Sequence, residues 1–395
     1  MSVIVQKYGG SSVADAQRLQ RVARRVMNTV EAGHKVVVVI SAMGSTTDDL
    51  QRLAGEISQS PPRRELDMLL SAGERISAAL LAMALHEGGC DAVSFTGSQC
   101  GIITTHRHTN ARILEVRPYR VQDELDDGKV VIIAGYQGVS YKREVTTLGR
   151  GGSDTTAVAM AAALGAEHCE ICSDVDGVYT ADPHREGDSR HLPEVSYEQM
   201  LELSQYGAKV LNAQAVEFAR RQRIVIYARA TDGSQRVTRI AAADEGNRNT
   251  VGVAGMRDLV AIRGQGGAEG LRSICHVLEE SETPALWARL DEGRPLVVLN
   301  PDTCPELDTL LAHVTQLVDV EVERRLDAAS VVGQGLGDDP THLSTLLTVA
   351  ASVNAEVVGL DSASSRLTLL MRHGTLDATL AALHQRFVIE LGEGE

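Results

Sequence analysis

Two short runs in the chain place a cation beside several glycines, a pattern suited to holding an anion. Lys7 stands just before Gly9-Gly10-Ser11-Ser12, and Gly149-Arg-Gly-Gly-Ser-Asp154 carries both an arginine and a carboxylate. Glycine lets the backbone approach an anion closely, and the N-terminus of a following helix adds N–H donors and a favourable dipole. A third glycine turn, Gly135-Tyr-Gln-Gly138, follows another apparent strand. These runs together predict a site that binds phosphate groups.

The two best-known phosphate-binding motifs are missing from the sequence. No G-x-x-x-x-G-K-[ST] run occurs, and no G-x-G-x-x-G run follows the first strand. Phosphoryl transfer needs mainly positioning and cations that offset the charge of the moving group, and Lys7 is the natural candidate for that cation. A carboxylate acceptor is already ionised at neutral pH and needs no general base. The lack of a His–Asp base pair in these loops therefore fits formation of an acyl phosphate.

The elements that must position these loops alternate between strands and helices. Val3–Lys7 reads as a strand that leads into the first glycine run, and apolar residues at helical spacing follow it as far as Val30. Ser12 and Asp15 fit a capping box at the start of that helix. Further predicted elements are a strand at Val36–Ile40, a helix at Leu66–His86, strands at Lys129–Gly135 and Cys169–Ser173, helices at Thr155–Leu164 and Tyr197–Arg221, and a strand at Ile224–Arg229. This alternation predicts a mostly parallel sheet with helices on both sides, that is, an α/β protein with three αβα layers.

The C-terminal part has a different pattern. A polar stretch, Ala241–Thr250, reads as a linker, and two weak βαββαβ repeats follow it. The second repeat is expected to close with a helix at Leu376–Phe387 and a strand at Val388–Leu391. The predicted division is a first domain at residues 1–240, a linker at 241–256, and two small domains at 257–327 and 328–395.

Composition limits the classes of partner. The chain has 395 residues, of which 43% are hydrophobic, and a formal net charge of −15, which argues against nucleic acid as a partner. The apolar runs are short for a bilayer, no charged-then-apolar leader opens the sequence, and the six cysteines are scattered. We therefore expect a cytoplasmic protein with neither a nucleic-acid nor a membrane partner.

Six motifs follow one another over roughly residues 1 to 230. They are Lys7-Tyr-Gly-Gly-Ser-Ser-Val13, Ser41-Ala-Met43 with Thr46-Thr47-Asp48, Gly73-Glu-Arg-Ile-Ser77, Thr147-Leu-Gly-Arg-Gly-Gly-Ser-Asp-Thr-Thr156, Ser173-Asp-Val-Asp-Gly-Val-Tyr-Thr-Ala-Asp-Pro183 and Tyr206-Gly-Ala-Lys-Val-Leu211. In this order they resemble the aspartate kinase family. The resemblance implies an amino-acid-kinase fold for the first domain and ferredoxin-like ACT domains for the two C-terminal repeats.

The resemblance also implies roles for individual residues. The expected catalytic residues are Lys7, Arg150 and Asp154. The expected aspartate-binding residues are Ser41, Thr47, Glu74, Arg150, Ser153 and Asp154. The expected ATP-binding residues are Lys7, Gly9, Gly10, Ser11, Ser173, Asp174, Tyr179, Asp182 and Lys209. The guanidinium of Arg150 can bind a carboxylate through two parallel hydrogen bonds, and the carboxylate of Glu74 or Asp154 can bind an ammonium group. Mg²⁺ is expected to bridge the ATP phosphates and keep mostly water ligands, so no residue is assigned as a metal ligand.

The implied reaction transfers the γ-phosphate of ATP to the β-carboxylate of L-aspartate, the first step towards lysine, threonine, methionine or a specialised product such as ectoine. One alternative is a kinase for glutamate or another carboxylate, which the Gly-Arg-Gly-Gly-Ser-Asp run disfavours. Another is a non-catalytic regulatory paralogue that binds amino acids through its ACT domains. Such a paralogue would be free to lose Lys7, Arg150 or Asp154, and all three are present. We expect a dimer or tetramer formed through the ACT domains, with an amino-acid effector.

The sequence departs from the family pattern at several positions. His184 replaces the arginine that usually follows Asp-Pro, although Arg185 comes next, and Asn212-Ala-Gln214 replaces His-Pro-Arg. In the C-terminal repeats, Gly264–Ala268 and Gly333–Pro340 replace an Asp-x-Pro-Gly-like loop. We therefore expect inhibition by lysine or threonine to be weak or altered. His106-Arg-His108 is expected to lie in a solvated loop.

Overall fold

A computed structural model describes residues 1–243, 250–281, 283–304 and 306–391 of the chain. The chain divides into two units, and each is made of several segments. The first unit comprises Met1–Val178, His191–Ser204 and Lys209–Asp244. The second comprises Tyr179–Arg190, Gln205–Ala208 and Glu245–Glu395. Two short segments from the first 210 residues therefore belong to the second unit.

An eight-stranded sheet lies at the centre of the first unit. The strands from the N-terminal half are β1 Val3–Tyr8, β2 Lys35–Ile40, β3 Ala92–Phe95, β4 Ile102–Thr104, β5 Ile113–Val116, β6 Val130–Ala134, β7 Gln137–Ser140, β8 Val145–Thr147, β9 His168–Ser173, β10 Val178–Tyr179, β11 His191–Leu192, β12 Glu194–Ser196, β13 Ile226–Ala230 and β14 Val237–Ala241. The order in the large sheet is β12-β14-β13-β9-β1-β2-β6-β3, and β1 runs parallel to both of its neighbours. Because parallel strands end at the same edge, the segments that follow β1, β2 and β9 meet there.

Helices cover both faces of this sheet. The helices in this part of the chain are α1 Ala16–Glu31, α2 Thr46–Ile57, α3 Arg63–Leu70, α4 Ala72–Glu87, α5 Tyr119–Asp126, α6 Gly152–Leu164, α7 Tyr197–Gln205 and α8 Ala213–Gln222. α1 and α4 share one apolar core with Val38 and Ile40 of β2. Val39 points to the opposite face, where it lies beside Ser153 of α6, and α6 packs against α8. The first unit therefore has the three αβα layers that the alternation predicts.

A second, four-stranded sheet in the order β5-β4-β7-β8 belongs to the same unit, and α3 packs against its strand β8. Among the described residues, one helical stretch, Arg63–Glu87, is long and apolar enough to span a membrane by length and composition alone. Its residues Leu81 and Leu85 are fully buried in the core shared with α1, and Glu74 is buried as well. The stretch is thus a core helix of the first unit.

The second unit is built on a six-stranded antiparallel sheet. Its strands are β15 Thr250–Gly264, β16 Ala285–Asp291, β17 Arg294–Leu299, β18 Val320–Gly333, β19 Val357–Ala363 and β20 Arg366–Arg372, and its helices are α9 Gly267–Glu280, α10 Leu307–Leu317, α11 Pro340–Ser352 and α12 Leu376–Leu383. The strand order is β16-β17-β15-β18-β20-β19. Asp361 accepts hydrogen bonds from Arg289 and Arg366, and the Arg366 guanidinium stacks 3.8 Å from the centre of the Tyr206 ring.

Two apolar cores divide this sheet into two modules. Val260 and Ile262 of β15 pack with α9 and α10 in the first core. Val253, also in β15, packs instead with Leu346 of α11 and with Phe387 in the second core. The pairing of β15 with β18 shifts register between Met256 and Leu259, where the strand passes from one module to the other. β15 therefore contributes to both βαββαβ modules.

The strand predicted at Val388–Leu391 is wrong. His384–Glu390 forms a π-helical turn whose Phe387 and Val388 are buried. The strand that completes the second module is the first half of β15, which pairs from Thr250 with Gly333 to Met256 with Ala328. Residues 244–249 of the predicted linker lie outside the described residues, and the proposed domain boundaries stay predictions.

Two further local predictions are corrected. The single helix predicted at Tyr197–Arg221 is broken into α7 and α8, with residues 206–212 between them. Gly207 has a φ of +124°, and a Cβ added there would lie 2.0 Å from the carbonyl oxygen of Gly255, so the chain turns at a close backbone contact. Asp15, and not Ser12, caps α1, since its carboxylate accepts the N–H of Arg18 at 2.8 Å.

Candidate active site

An ion pair joins the two glycine-rich runs. Lys7 lies near the carboxyl end of β1, and Asp154 lies in the first turn of α6. Lys7 Nζ is 2.6 Å from Asp154 Oδ1, and the two side chains are only 13% and 11% exposed. This contact has the geometry of an ion pair rather than of an aligned hydrogen bond. Lys7 and the second glycine run therefore lie at one location.

The first glycine run turns tightly around the Lys7 amine. Gly10–Val13 is a 3-10 turn, and the N–H of Gly9 donates to the carbonyl of Cys172 at the end of β9. A Cβ on Gly9 would lie 3.5 Å from Lys7 Nζ, and a Cβ on Gly10 would lie 2.9 Å from the carbonyl oxygen of Ala42. The absence of side chains at these two positions therefore lets the backbone lie against the cation and against the segment that follows β2.

Hydroxyl groups connect the first glycine run to two neighbouring strand ends. Ser12 Oγ lies 2.7 Å from Thr231 Oγ1, and the Thr231 hydroxyl and N–H both donate to the carbonyl of Ser173. Ser11 is exposed beside this contact, and Asp174 is exposed just after Ser173. Hydrogen bonds therefore connect the predicted ATP-binding segments that follow β1 and β9, at one edge of the sheet.

The second glycine run adopts a conformation that depends on glycine. Gly149 and Gly151 have φ values of +76° and +74°, and Gly151 caps α6. The carbonyl of Gly151 accepts the N–H of Asp154 at 3.1 Å, while Arg150 is exposed at the tip of the turn. Ser153 packs so closely on Gly135 that a Cβ there would lie 2.8 Å from Ser153 Oγ. The third glycine turn therefore makes room for the start of α6.

Glu74 is a buried carboxylate with one free oxygen. It is 3% exposed, its Oε1 accepts the N–H of Ala42 at 3.2 Å, and its Oε2 is buried without a hydrogen-bond partner. Burial raises the pKa of the Glu74 carboxyl to about 7, and hydrogen bonds from the backbone N–H groups of Glu74 and Ala42 offset only part of that effect. A buried acid with a spare oxygen can receive an ammonium group.

The other predicted acceptor residues, Ser41 and Thr47, flank the segment that contacts Glu74. Ser41 follows β2 and donates its N–H to the carbonyl of Tyr8, and Thr47 lies in the first turn of α2. Both are half-buried. Ala42, which has no predicted role, thus links residues from two separate motifs, because it follows Ser41 in the chain and donates its N–H to Glu74.

The remaining predicted ATP-binding residues do not all belong to the same unit. Lys209 is exposed in the first unit, four residues before α8. Tyr179 and Asp182 belong to the second unit, where the Asp182 carboxylate accepts the N–H of His184. Arg185, which follows His184, forms ion pairs with Asp182 and with Asp377 at 2.7 Å. Its guanidinium is thus already bound to two carboxylates.

Sequence reasoning missed a buried polar cluster beside the second glycine run. The fully buried Asp67 carboxylate accepts hydrogen bonds from Thr147 Oγ1 at 2.6 Å and from the N–H of Thr109 at 2.9 Å, and it contacts His108 Nδ1 at 2.7 Å. The predicted solvated loop is therefore wrong for His108. The available signal was the acid at position 67 within the apolar run Leu66-Asp-Met-Leu-Leu70, because a charge in such a run needs partners.

Tyr136 was also missed. Burial raises the pKa of its phenol, a hydrogen bond with Thr147 opposes that effect, and the nearby carboxylates of Glu74 and Asp67 reinforce it. Tyr136 is one of the non-glycine residues with a positive φ, at +67°. Tyr136 therefore lies close enough to both Asp67 and Glu74 to interact electrostatically with each carboxylate.

The comparisons with known proteins cover almost the whole chain. A model of the amino acid kinase family matches residues 2–228. An aspartokinase from Mycolicibacterium smegmatis is 41% identical over 98% of this chain and 96% of its own length, and one from Geobacillus stearothermophilus is 38% identical over 98% and 97%. The chain belongs to the aspartokinases. As a member of this family, the enzyme transfers a phosphoryl group from ATP to the side-chain carboxylate of L-aspartate.

Solved aspartokinase structures share the fold. The crystal structure of E. coli aspartokinase III in complex with aspartate and ADP matches with a TM-score of 0.86 at 23% identity, over 97% of this chain and 99% of that one. The aspartate kinase from Synechocystis is 32% identical, covers 98% of this chain and 69% of that one, and has a TM-score of 0.57. The α/β amino-acid-kinase fold with a C-terminal βαββαβ region is thereby confirmed.

Proposed function

We propose that the aspartokinase reaction takes place around the Lys7–Asp154 ion pair, with Arg150 and Glu74 binding the two charged groups of aspartate that do not react. The observation that carries this proposal is the 2.6 Å contact between Lys7 and Asp154. It joins a cation at the end of β1 to the helix turn that presents Arg150 and Ser153. ATP lies on the β1 side of this pair in the proposal, and aspartate lies on the α6 side.

The ion pair decides between two candidates for the substrate ammonium group. Asp154 already neutralises Lys7, whereas Glu74 Oε2 is buried and has no partner. An ammonium group bound at Glu74 would satisfy that oxygen and favour the charged carboxylate. We therefore assign the ammonium to Glu74 and the α-carboxylate to the exposed guanidinium of Arg150, whose fork suits two parallel bonds to a carboxylate.

The transfer step then needs little more than alignment. An oxygen of the aspartate β-carboxylate attacks the γ-phosphorus, the bond to the bridging oxygen breaks, and ADP leaves with that electron pair. Lys7 offsets the charge that spreads over the moving phosphoryl group, and Asp154 holds the Lys7 ammonium in place. Because the carboxylate is already ionised, no side chain has to remove a proton.

On the ATP side, we propose that the backbone of Gly9, Gly10 and Ser11 binds phosphate oxygens, together with the segment at Ser173 and Asp174 and the Lys209 ammonium. The roles of Tyr179 and Asp182 stay predictions. A metal-binding cluster of three or more His, Cys, Asp or Glu side chains is absent from the described residues. Mg²⁺ bound together with ATP would offset phosphate charge.

The test is a coupled assay of ADP release with aspartate, with glutamate and without an acceptor. Aspartate alone should give turnover. Glu74→Ala should raise the KM for aspartate much more than the KM for ATP, and Arg150→Ala should do the same. Equal effects on both KM values would refute the assignment of these residues to the acceptor.

We also propose that the second unit responds to an amino acid and pairs with a second copy into a dimer or tetramer, and that the enzyme acts in the cytoplasm. The glycine-rich turns after β15 and β18 support weak or altered inhibition by lysine and threonine. Initial rates with and without each amino acid test this, and strong inhibition below millimolar concentration would contradict it.

A further inference from the structure

One side-chain amide joins the starts of two helices in the first unit. Asn212 caps α8, where its Oδ1 accepts the N–H groups of Gln214 at 2.9 Å and Ala215 at 3.3 Å. The Nδ2 of the same amide donates to the carbonyl of Arg150 at 3.2 Å. Both functions of the carboxamide are therefore used, one on each helix.

The contact is close enough to depend on glycine at the next position. A Cβ added to Gly151 would lie 2.2 Å from Asn212 Nδ2 and 2.4 Å from its Cγ. Gly151 is the residue that caps α6, and α6 packs along α8. The Asn212 amide consequently fits against the peptide that leads from Arg150 into the helix of Ser153 and Asp154.

Within its own turn this peptide is bracketed by a hydrogen bond from the N–H of Gly152 to the carbonyl of Gly149 at 3.0 Å, which closes the turn but does not engage the Arg150 carbonyl. Gly149 and Gly151 on either side of Arg150 both have positive φ, a region that glycine enters as readily as the negative one. The two glycines allow the peptides around Arg150 to rotate. The hydrogen bond from Asn212 selects one orientation of the Arg150 carbonyl, and the direction of the Arg150 side chain follows from it.

We propose that Asn212 is a positioning residue for aspartate binding, acting by fixing the Arg150–Gly151 peptide. This inference rests on the proposed role of Arg150 as the ligand of the α-carboxylate. Asn212 touches neither substrate in this proposal. It sets the turn from which Arg150 reaches the acceptor, and it holds that turn at the start of α8, close to Lys209.

The amide can be altered so that its two functions separate. Asn212→Asp keeps an oxygen to cap α8 and adds a charge that favours the helix N-terminus, but it cannot donate to the Arg150 carbonyl. Asn212→Ser also keeps a capping oxygen and is too short to span the 3.2 Å contact. Asn212→Ala removes both functions. The first two variants thus test the Arg150 contact while α8 stays capped.

We expect Asn212→Asp and Asn212→Ser to raise the KM for aspartate about five- to tenfold, the loss of one hydrogen bond, while the KM for ATP stays within twofold. Their melting temperatures should stay close to that of the unmodified enzyme, and Asn212→Ala should melt lower. An unchanged aspartate KM in both capped variants would overturn the proposal. So would equal increases in both KM values, since those indicate a merely structural role.

A double-mutant cycle with Arg150→Ala separates this inference from the proposed function. If Asn212 acts through Arg150, Asn212→Ser should have no further effect on the aspartate KM once Arg150 is replaced. Additive effects would overturn the positioning role. If Arg150→Ala itself leaves the aspartate KM unchanged, the proposed function fails at that residue, whatever the Asn212 variants show.

Discussion

The buried acid Glu74 predicts how aspartate use depends on pH. Its pKa of about 7 in the free enzyme means that roughly half of the molecules carry a charged Glu74 at pH 7 and about a tenth at pH 6. In the proposed site only the charged form binds the aspartate ammonium group. The kcat/KM for aspartate should therefore fall about tenfold between pH 8 and pH 6.

The same shift makes a prediction for stability. The pKa of Glu74 is raised above its ordinary 4.5 because burial disfavours the charged form. The contribution of Glu74 to the free energy of unfolding is fully present below pH 4.5 and is lost as the pH rises through 7. The cost at pH 8 is about 3 kcal/mol at most, from the 1.36 kcal/mol that corresponds to each pKa unit. Aspartate should offset this cost when it binds.

The assay measures initial rates of ADP release at saturating ATP, with varied aspartate, from pH 5.5 to pH 8.5. The aspartate β-carboxylate and ammonium keep their charges across this range, so the acidic limb reports the enzyme. Glu74→Gln is the matched control, because it keeps the shape of the side chain and cannot ionise. Its kcat/KM should be low and should lose the limb. A limb near pH 7 that persists in Glu74→Gln would refute the reasoning.

Three other substitutions test the energetics of the two units. Lys7→Met should lower kcat by about 10²–10³-fold. It should also lower the melting temperature, because it leaves Asp154 buried without a cation. Adding Asp154→Asn should restore the melting temperature but not turnover. Asp67→Asn should cost about 2–4 kcal/mol in urea unfolding, since it disrupts a fully buried acceptor. Glu115→Gln, which removes an exposed ion pair with Arg117, should leave the urea midpoint close to that of the unmodified enzyme, and equal shifts for the two variants would contradict the role given to burial. Asp361→Asn should destabilise the second unit, because Arg289 and Arg366 lose their anion. In the unmodified enzyme these arginines hold the pKa of Asp361 low despite its burial. The stability that Asp361 contributes should therefore be lost on acidification below about pH 4.

The sequence was most informative where local chemistry and local structure coincide. Lys7 and the glycines after it could be read directly, because a buried strand, a tight turn and a helix are each determined by a few neighbouring residues. The family resemblance names Lys7 and Asp154 together as catalytic residues but does not predict their ion pair. Their contact depends on β1 and α6 being adjacent in space, which spacing along the chain does not specify.

The missed features are interactions between distant segments. The hydrogen bond from Asn212 to the Arg150 carbonyl joins residues that are 62 positions apart, and the bonds to Asp67 come from residues up to 80 positions away. Asn212 was noted only as a departure from the family pattern. A polar residue just before a helix predicts a cap, yet nothing in the sequence shows what the other half of its amide contacts.

The two-module strand β15 has a consequence for the order in which the second unit can form during synthesis. Its first half leaves the ribosome before either module, yet its partner Ala328–Gly333 is made only after the whole first module. The backbone groups of Thr250–Met256 that pair with β18 therefore remain exposed to water and to other nascent chains until β18 has been synthesised. The final module cannot fold as an independent C-terminal appendage, and any fragment meant to contain it has to begin ahead of Thr250.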